Sequence, residues 1–148
     1  MNIIPLHKPS ISKNDIKEVV KVLESGMLVM GKKTLEFEKL ASKYIGVTQS
    51  IALNNGTSTM LLALKALGIK KGDEVIVPAF SYIATANVVE LLGAKPVFVD
   101  IDINTFNIDV SKIEPKITEK TKAIIPVHEF GLPCDISTVC KIAKKYKL

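Results

Sequence analysis

The sequence predicts an α/β protein: an open, mostly parallel sheet with helices on both faces. Three observations carry that expectation. From residue 50 onward, short apolar runs and helical stretches follow one another in the order β-α-β-α-β-α-β-α. The apolar runs, Glu74–Val77 and Lys122–Val127 among them, are nearly continuous, as in strands covered on both faces. Gly46, Gly68 and Gly93 stand where helical patterns stop, the place where a left-handed residue ends a helix.

The elements follow in chain order. Ser12 with Asp15 three residues on can cap a helix, and Ile16, Val19, Val20 and Leu23 give it an apolar stripe that stops at Ser25-Gly26. Leu35, Phe37, Leu40, Ala41, Tyr44 and Ile45 mark a second helix closed by Gly46. Ser50–Leu53 reads as a short buried strand, Asn54-Asn55-Gly56 as a turn, and Thr57–Leu67 as a helix. After the turn at Lys71-Gly72-Asp73 come a strand (Glu74–Val77), a helix (Tyr82–Leu92) and a strand (Pro96–Val99). Asp109 can cap a short helix through Ile113; Lys122–Val127 is the last strand and Ile136–Tyr146 the last helix. The expected organisation is an N-terminal helical arm over 1–48 and an α/β domain over 49–148. A final helix ending at Tyr146-Lys147-Leu148 would usually lead into another strand in an alternating α/β sheet, although chains can also stop after a helix.

Composition narrows the function. A chain of 148 residues, 47% hydrophobic, can bury a core. The net charge is +5, and all 20 basic residues are Lys. A nucleic-acid interface would use Arg for bidentate contacts. Lys39, Lys43, Lys65, Lys141 and Lys144 lie scattered on helix faces, which reads as a solvated surface; attraction of an anionic substrate such as a nucleotide sugar is the sharper alternative. The apolar stretch Val75–Ala94 is interrupted by Pro78, Ser81, Thr85, Asn87 and Glu90, so it reads as strand, turn and helix rather than a membrane span. Met1–Lys13 lacks a signal-peptide pattern, so a cytoplasmic protein is expected. Cys134 and Cys140, six apart, make neither a disulfide framework nor a zinc pattern.

In open α/β sheets ligands bind beyond the carboxyl ends of the strands, which directs attention to four loops. Asn54 to Ser58 turns sharply and opens a helix with Thr57-Ser58-Thr59; it fits a phosphate cup and equally a plain turn with an N-cap. It is neither a Walker loop nor G-x-G-x-x-G. Pro78-Ala79-Phe80-Ser81-Tyr82 places an aromatic where a helix begins, able to stack on a flat ring; core packing suits Phe80 well and Tyr82 less. Asp100 and Asp102, with Asn104, Asn107 and Asp109, suggest turn formation and capping far more than a metal site. His128 in His128-Glu129-Phe130-Gly131 is an acid/base candidate or a structural histidine. No Ser-His-Asp arrangement can be assigned to His7 or His128, the two histidines.

Taken in order, these segments resemble the DegT/DnrJ family of sugar aminotransferases, most closely perosamine-synthase-like members. The likeness rests on Pro5-Leu6-His7-Lys8-Pro9, on Gly31 with Glu36-Phe37-Glu38, and on Asn54-Asn55-Gly56-Thr57. Its longest stretch runs from Gly72 to Asn87, followed by Gly93–Asp102 and Thr121–His128 with Gly131 and Asp135. The resemblance implies the large domain of the fold-type-I pyridoxal-phosphate (PLP) transferases, present in part, in an enzyme that is a homodimer when full length. It implies that Gly56, Thr57 and Ser58 hold the PLP phosphate, that Tyr82 stacks on the pyridine ring and that His128 lies close to the cofactor. It implies amination of a nucleotide-linked keto sugar, of the 4-keto-6-deoxy type, with glutamate as amino donor, in amino-sugar or cell-surface polysaccharide synthesis. The family's Asp at the pyridine nitrogen and its Schiff-base Lys are expected beyond Leu148, which leaves no catalytic residue in the chain and an enzyme inactive alone. Met27, Val29 and Met30 stand where the family often places an indole or hydroxyls near the substrate. Two other readings are a non-catalytic remnant or regulatory half-domain that binds a phosphate ligand and needs a partner chain, and an unrelated Rossmann-type binder.

Overall fold

The computed structural model describes Pro5 and residues 8–148; Leu6 and His7 of the first family-like segment lie outside the described residues. The chain divides into two compact units, Met1–Ala52 and Leu53–Leu148.

The first unit holds helices α1 (Lys13–Glu24) and α2 (Lys32–Ile45). Ser12 and Asp15 form the reciprocal cap that their spacing predicts: the Asp15 amide donates to Ser12 Oγ at 3.2 Å, and the Ser12 amide to Asp15 Oδ2 at 2.7 Å. Gly46 ends α2 with φ 81°. Neither helix contains a buried residue. The strand expected at Ser50–Leu53 does not form, because the segment is tied to α2 instead. Ser50 Oγ donates to the Glu38 carbonyl at 2.6 Å, and the Ala52 amide donates to Glu38 Oε1 at 2.8 Å. A donor taken by a carboxylate is lost to a sheet ladder.

The second unit is a three-stranded parallel sheet in the order β2-β1-β3, from β1 (Glu74–Pro78), β2 (Lys95–Val99) and β3 (Thr121–Ile124). Its helices are α3 (Gly56–Ala66), α4 (Ala84–Leu91) and α5 (Ile136–Tyr146), with short 3-10 turns at Val110–Lys112, Glu114–Lys116 and Glu129–Gly131. Central β1 is buried along its whole length and serves both faces. Val75 and Val77 meet Leu64, Val88 and Val89 of α3 and α4; Ile76 faces the other way, toward Ile113 and Val139 and Ile142 of α5. This is the expected α/β architecture, with helices on both faces. Burying Val75, Ile76 and Val77 completely contributes about 1.5–3 kcal/mol per side chain.

Several boundaries shift from expectation. β3 stops at Ile124 rather than Val127: the Ile125 amide still donates to the Ile76 carbonyl at 2.8 Å, but Pro126 has no N–H to continue. α4 begins at Ala84, two residues past Tyr82, after 3-10-type bonds from the Thr85 and Ala86 amides to the Tyr82 and Ile83 carbonyls. The helix after Asp109 is a 3-10 turn, with Asp109 as its cap and Pro115 in the next turn. At the amino edge of the sheet, buried Glu74 accepts from Thr118 Oγ1 at 2.7 Å and Lys95 Nζ at 3.3 Å.

Candidate functional site

Because the strands are parallel, the loops that follow them lie at one edge. Gly68-to-Asp73, a short connection, joins the end of α3 to the start of β1. An 11-residue helix is about 16 Å long, as is β1, so the N-terminus of α3 points toward the carboxyl edge.

At that N-terminus Asn55 is the cap, its Oδ1 accepting from the Ser58 amide at 2.8 Å. The helix therefore opens on Gly56, one residue earlier than the pattern predicts. Thr59 bonds back to the Asn55 carbonyl with its hydroxyl, at 3.1 Å. Among the described residues the amides of Gly56 and Thr57 and the hydroxyls of Thr57 and Ser58 donate to no protein acceptor. A Cβ at Gly56 would meet no atom within 4 Å beyond its chain neighbours and its own helix backbone, so the flank of the helix at Gly56 is open. Free N–H groups, hydroxyls and the positive end of a helix suit a phosphate.

Tyr82 precedes α4 and is 78% exposed. Phe80 is not core: it is 44% exposed and forms an aromatic trio with Phe106 and Phe130, ring centroids 5.6 and 6.2 Å away. Each ring comes from the loop after a different strand. Phe106 (φ 59°) and Phe130 (φ 52°) occupy the left-handed region, rare for a non-glycine residue. Neither the trio nor its backbone was legible in the sequence; the one signal was Phe130 beside Gly131.

His128 follows β3 at the same edge. Its Nδ1 accepts from the Cys134 amide at 3.0 Å, so a neutral ring carries its proton on Nε2. Cys134 is buried, and burial pushes its thiol above the ordinary range; Cys140 is exposed, and both are free. The acidic cluster makes turns. Asp102 Oδ1 accepts from the Asn104 and Thr105 amides at 2.8 and 3.1 Å. Lys112, and then the Ile101 amide, hold the Asp100 carboxyl below its usual range. Among the described residues no three His, Cys, Asp or Glu side chains are grouped to hold a metal. Asn107 keeps its backbone in this turn, its carbonyl accepting from the Asp102 amide at 2.9 Å, while its side chain reaches the His128 loop.

In the first unit, Met27, Leu28, Val29 and Gly31 line an open pocket of about 520 Å³ together with Lys21, Lys32 and Lys33. Among the described residues no helix is long and apolar enough to cross a membrane.

The model of the DegT/DnrJ/EryC1/StrS aminotransferase family matches residues 9–148. The chain belongs to that family. Among its relatives are UDP-4-amino-4-deoxy-L-arabinose–oxoglutarate aminotransferase of Shewanella sediminis, 43% identical over 98% of this chain and 37% of its own length. GDP-perosamine synthase of Caulobacter vibrioides is 44% identical over 98% of this chain and 39% of its own length. The solved structure of NtdA from Bacillus subtilis, with bound cofactor PMP, superposes with a TM-score of 0.87 at 40% identity, over 93% of this chain and 33% of that one. The chain thus spans somewhat over a third of the length of the family members it matches. The family resemblance read from the ordered motifs is borne out, and so is the α/β fold with its parallel sheet.

Proposed function

We propose that this chain carries the phosphate-binding and ring-stacking portion of a PLP-dependent aminotransferase acting on a nucleotide-linked keto sugar, of the 4-keto-6-deoxy type. The observation that carries the reading is the N-terminus of α3 in a member of this family: among the described residues, two amides and two hydroxyls of its first turn have no protein acceptor. The donor set fits a PLP phosphate. The Gly56 and Thr57 amides, with Thr57 and Ser58 Oγ, would each form a charge-assisted bond contributing about 1.5–3 kcal/mol. The helix terminus adds about 0.3–1 kcal/mol for an anion. Tyr82 would cover one face of the pyridine ring, contributing about 0.5–1.5 kcal/mol. His128 would present Nε2–H as a donor at the same edge. Bound PLP supplies the electron sink and carries the amino group between donor and sugar.

Names of relatives that act on UDP- and GDP-linked sugars support the substrate class, as do the three lysines around the apolar pocket of the first unit. Glutamate as donor, a homodimer as the assembly, a cytoplasmic setting and a role in polysaccharide synthesis belong to the same proposal. So does the absence of a Schiff-base lysine from these residues.

The test is PLP titration followed by absorbance. Saturable binding, weakened about tenfold or more in Thr57→Ala/Ser58→Ala and competed by inorganic phosphate, is the expected result. Borohydride reduction of the loaded chain should fix no adduct on a single lysine; stoichiometric labelling of one would overturn the lysine part. Binding of phosphate with no preference for PLP would favour a regulatory phosphate-binding unit.

A further inference from the structure

The loop that carries His128 is held from outside itself. Residues 128–134 close through the Cys134 amide on His128 Nδ1. Inside, the Gly131 and Leu132 amides donate to the His128 and Glu129 carbonyls at 3.1 and 2.9 Å. The two remaining ties come from one residue of another loop. Asn107, 4% exposed, accepts from the Glu129 amide with Oδ1 at 2.9 Å and donates Nδ2 to the Leu132 carbonyl at 3.1 Å. Exchanging its oxygen and nitrogen would set donor against donor and acceptor against acceptor, so its orientation is determined. A buried amide is stable here only because both its ends are paired. The preceding residue, Phe106, adds its ring edge-on to Phe130, 6.0 Å away.

We propose that Asn107 is a positioning residue: it sets the course of residues 129–132 so that the Cys134 amide meets Nδ1 and His128 offers Nε2–H at the carboxyl edge of the sheet. The use of that donor toward a cofactor rests on the PLP reading above; the positioning itself does not. Among the described residues no other group bonds the Glu129 amide or the Leu132 carbonyl. Without it the Glu129 amide and the Leu132 carbonyl lose their side-chain partner, and the loop can relax away from the imidazole.

The test is NMR on the 148-residue chain with 15N-labelled histidine at alkaline pH, His128 being assigned by its loss in His128→Gln. Wild type should show one tautomer, protonated at Nε2, and a Cys134 amide protected from exchange. Asn107→Ala should admit the Nδ1-protonated form and speed Cys134 exchange about tenfold or more, while the Val77 amide in β1 exchanges as before. Asn107→Asp, which keeps the acceptor and loses the donor, should fall between, and it decides the matter if Asn107→Ala does not fold. A folded variant in which tautomer and Cys134 protection match wild type overturns the proposal. PLP affinity separates the two claims. If wild type binds, Asn107→Ala and His128→Gln should weaken binding equally, and the double variant no further. If wild type does not bind PLP, the cofactor reading fails and the NMR result alone judges Asn107.

Discussion

Val19 on α1 is 59% exposed and Val77 on β1 is 0% exposed, although each belongs to a clear apolar pattern. The difference divides the molecule. In residues 8–52 the helices are specified locally, by the Ser12–Asp15 cap and the left-handed Gly46, with no buried side chain behind them. In residues 53–148 the strands are specified by what covers them: β1 buries every residue between two helical layers. Caps determine where a helix begins and ends; only packing decides how much its apolar face stabilises.

The largest expected effect breaks that comparison most directly. Ile76→Ala should cost about 2–5 kcal/mol in denaturant unfolding, because it empties a site sealed on both sides. Val19→Ala should change stability by less than about 0.5 kcal/mol. Equal costs would mean that the α1 stripe is as well packed as the sheet. Next comes the cap. Ser12→Ala should destabilise α1 by about 0.5–2 kcal/mol, seen as faster amide exchange in α1 with β1 unchanged. Transmission of the effect to β1 would join what the comparison separates.

The smallest effect is electrostatic and sharpens the contrast. Glu74 is held below its ordinary 4.5, first by the Thr118 hydroxyl and then, against the opposing desolvation, by Lys95. Glu18 is drawn down to about 2 by Lys21 first and Lys33 second. Both carboxyls are lowered by folding, so each adds stability above its unfolded pKa, lost as pH falls through the folded value. Their response to salt should differ. Glu18 is solvated, so the acid sensitivity of α1 and α2 should fade at high ionic strength. Glu74 is buried and its main partner is a neutral hydroxyl, so its share should persist in salt better than that of Glu18 and shrink in Thr118→Val. Acid titrations of the urea midpoint, with and without salt, read both.

Much of this molecule is written locally. Ser12, Gly46, Gly68 and Gly93 act where their positions say they should, and the runs around Val75–Val77 and Val97–Val99 become strands. The Asn55–Ser58 turn also read correctly as a helix opening with donors to spare, since caps and orphan amides are properties of a few consecutive residues. Ser50–Leu53 was misread because hydrophobicity cannot say whether a neighbour's carboxylate, here Glu38, takes a donor first.

The His128 edge lies at the other extreme. That Asn107 reaches Glu129 and Leu132, 22 and 25 residues away, follows from no pattern in the chain. The meeting of Phe80, Phe106 and Phe130 is equally silent in the sequence. The sequence by itself determined the five α-helices, to within a residue or two at their ends, the parallel α/β architecture and the turn that opens α3, because each depends on period, cap or glycine within one turn or strand. The tertiary structure alone decided which carbonyls the buried Asn107 amide serves and which nitrogen of His128 holds its proton. Those outcomes depend on hydrogen bonds, between two loops for Asn107 and across the 128–134 loop for His128, whose partners only the folded chain brings to about 3 Å.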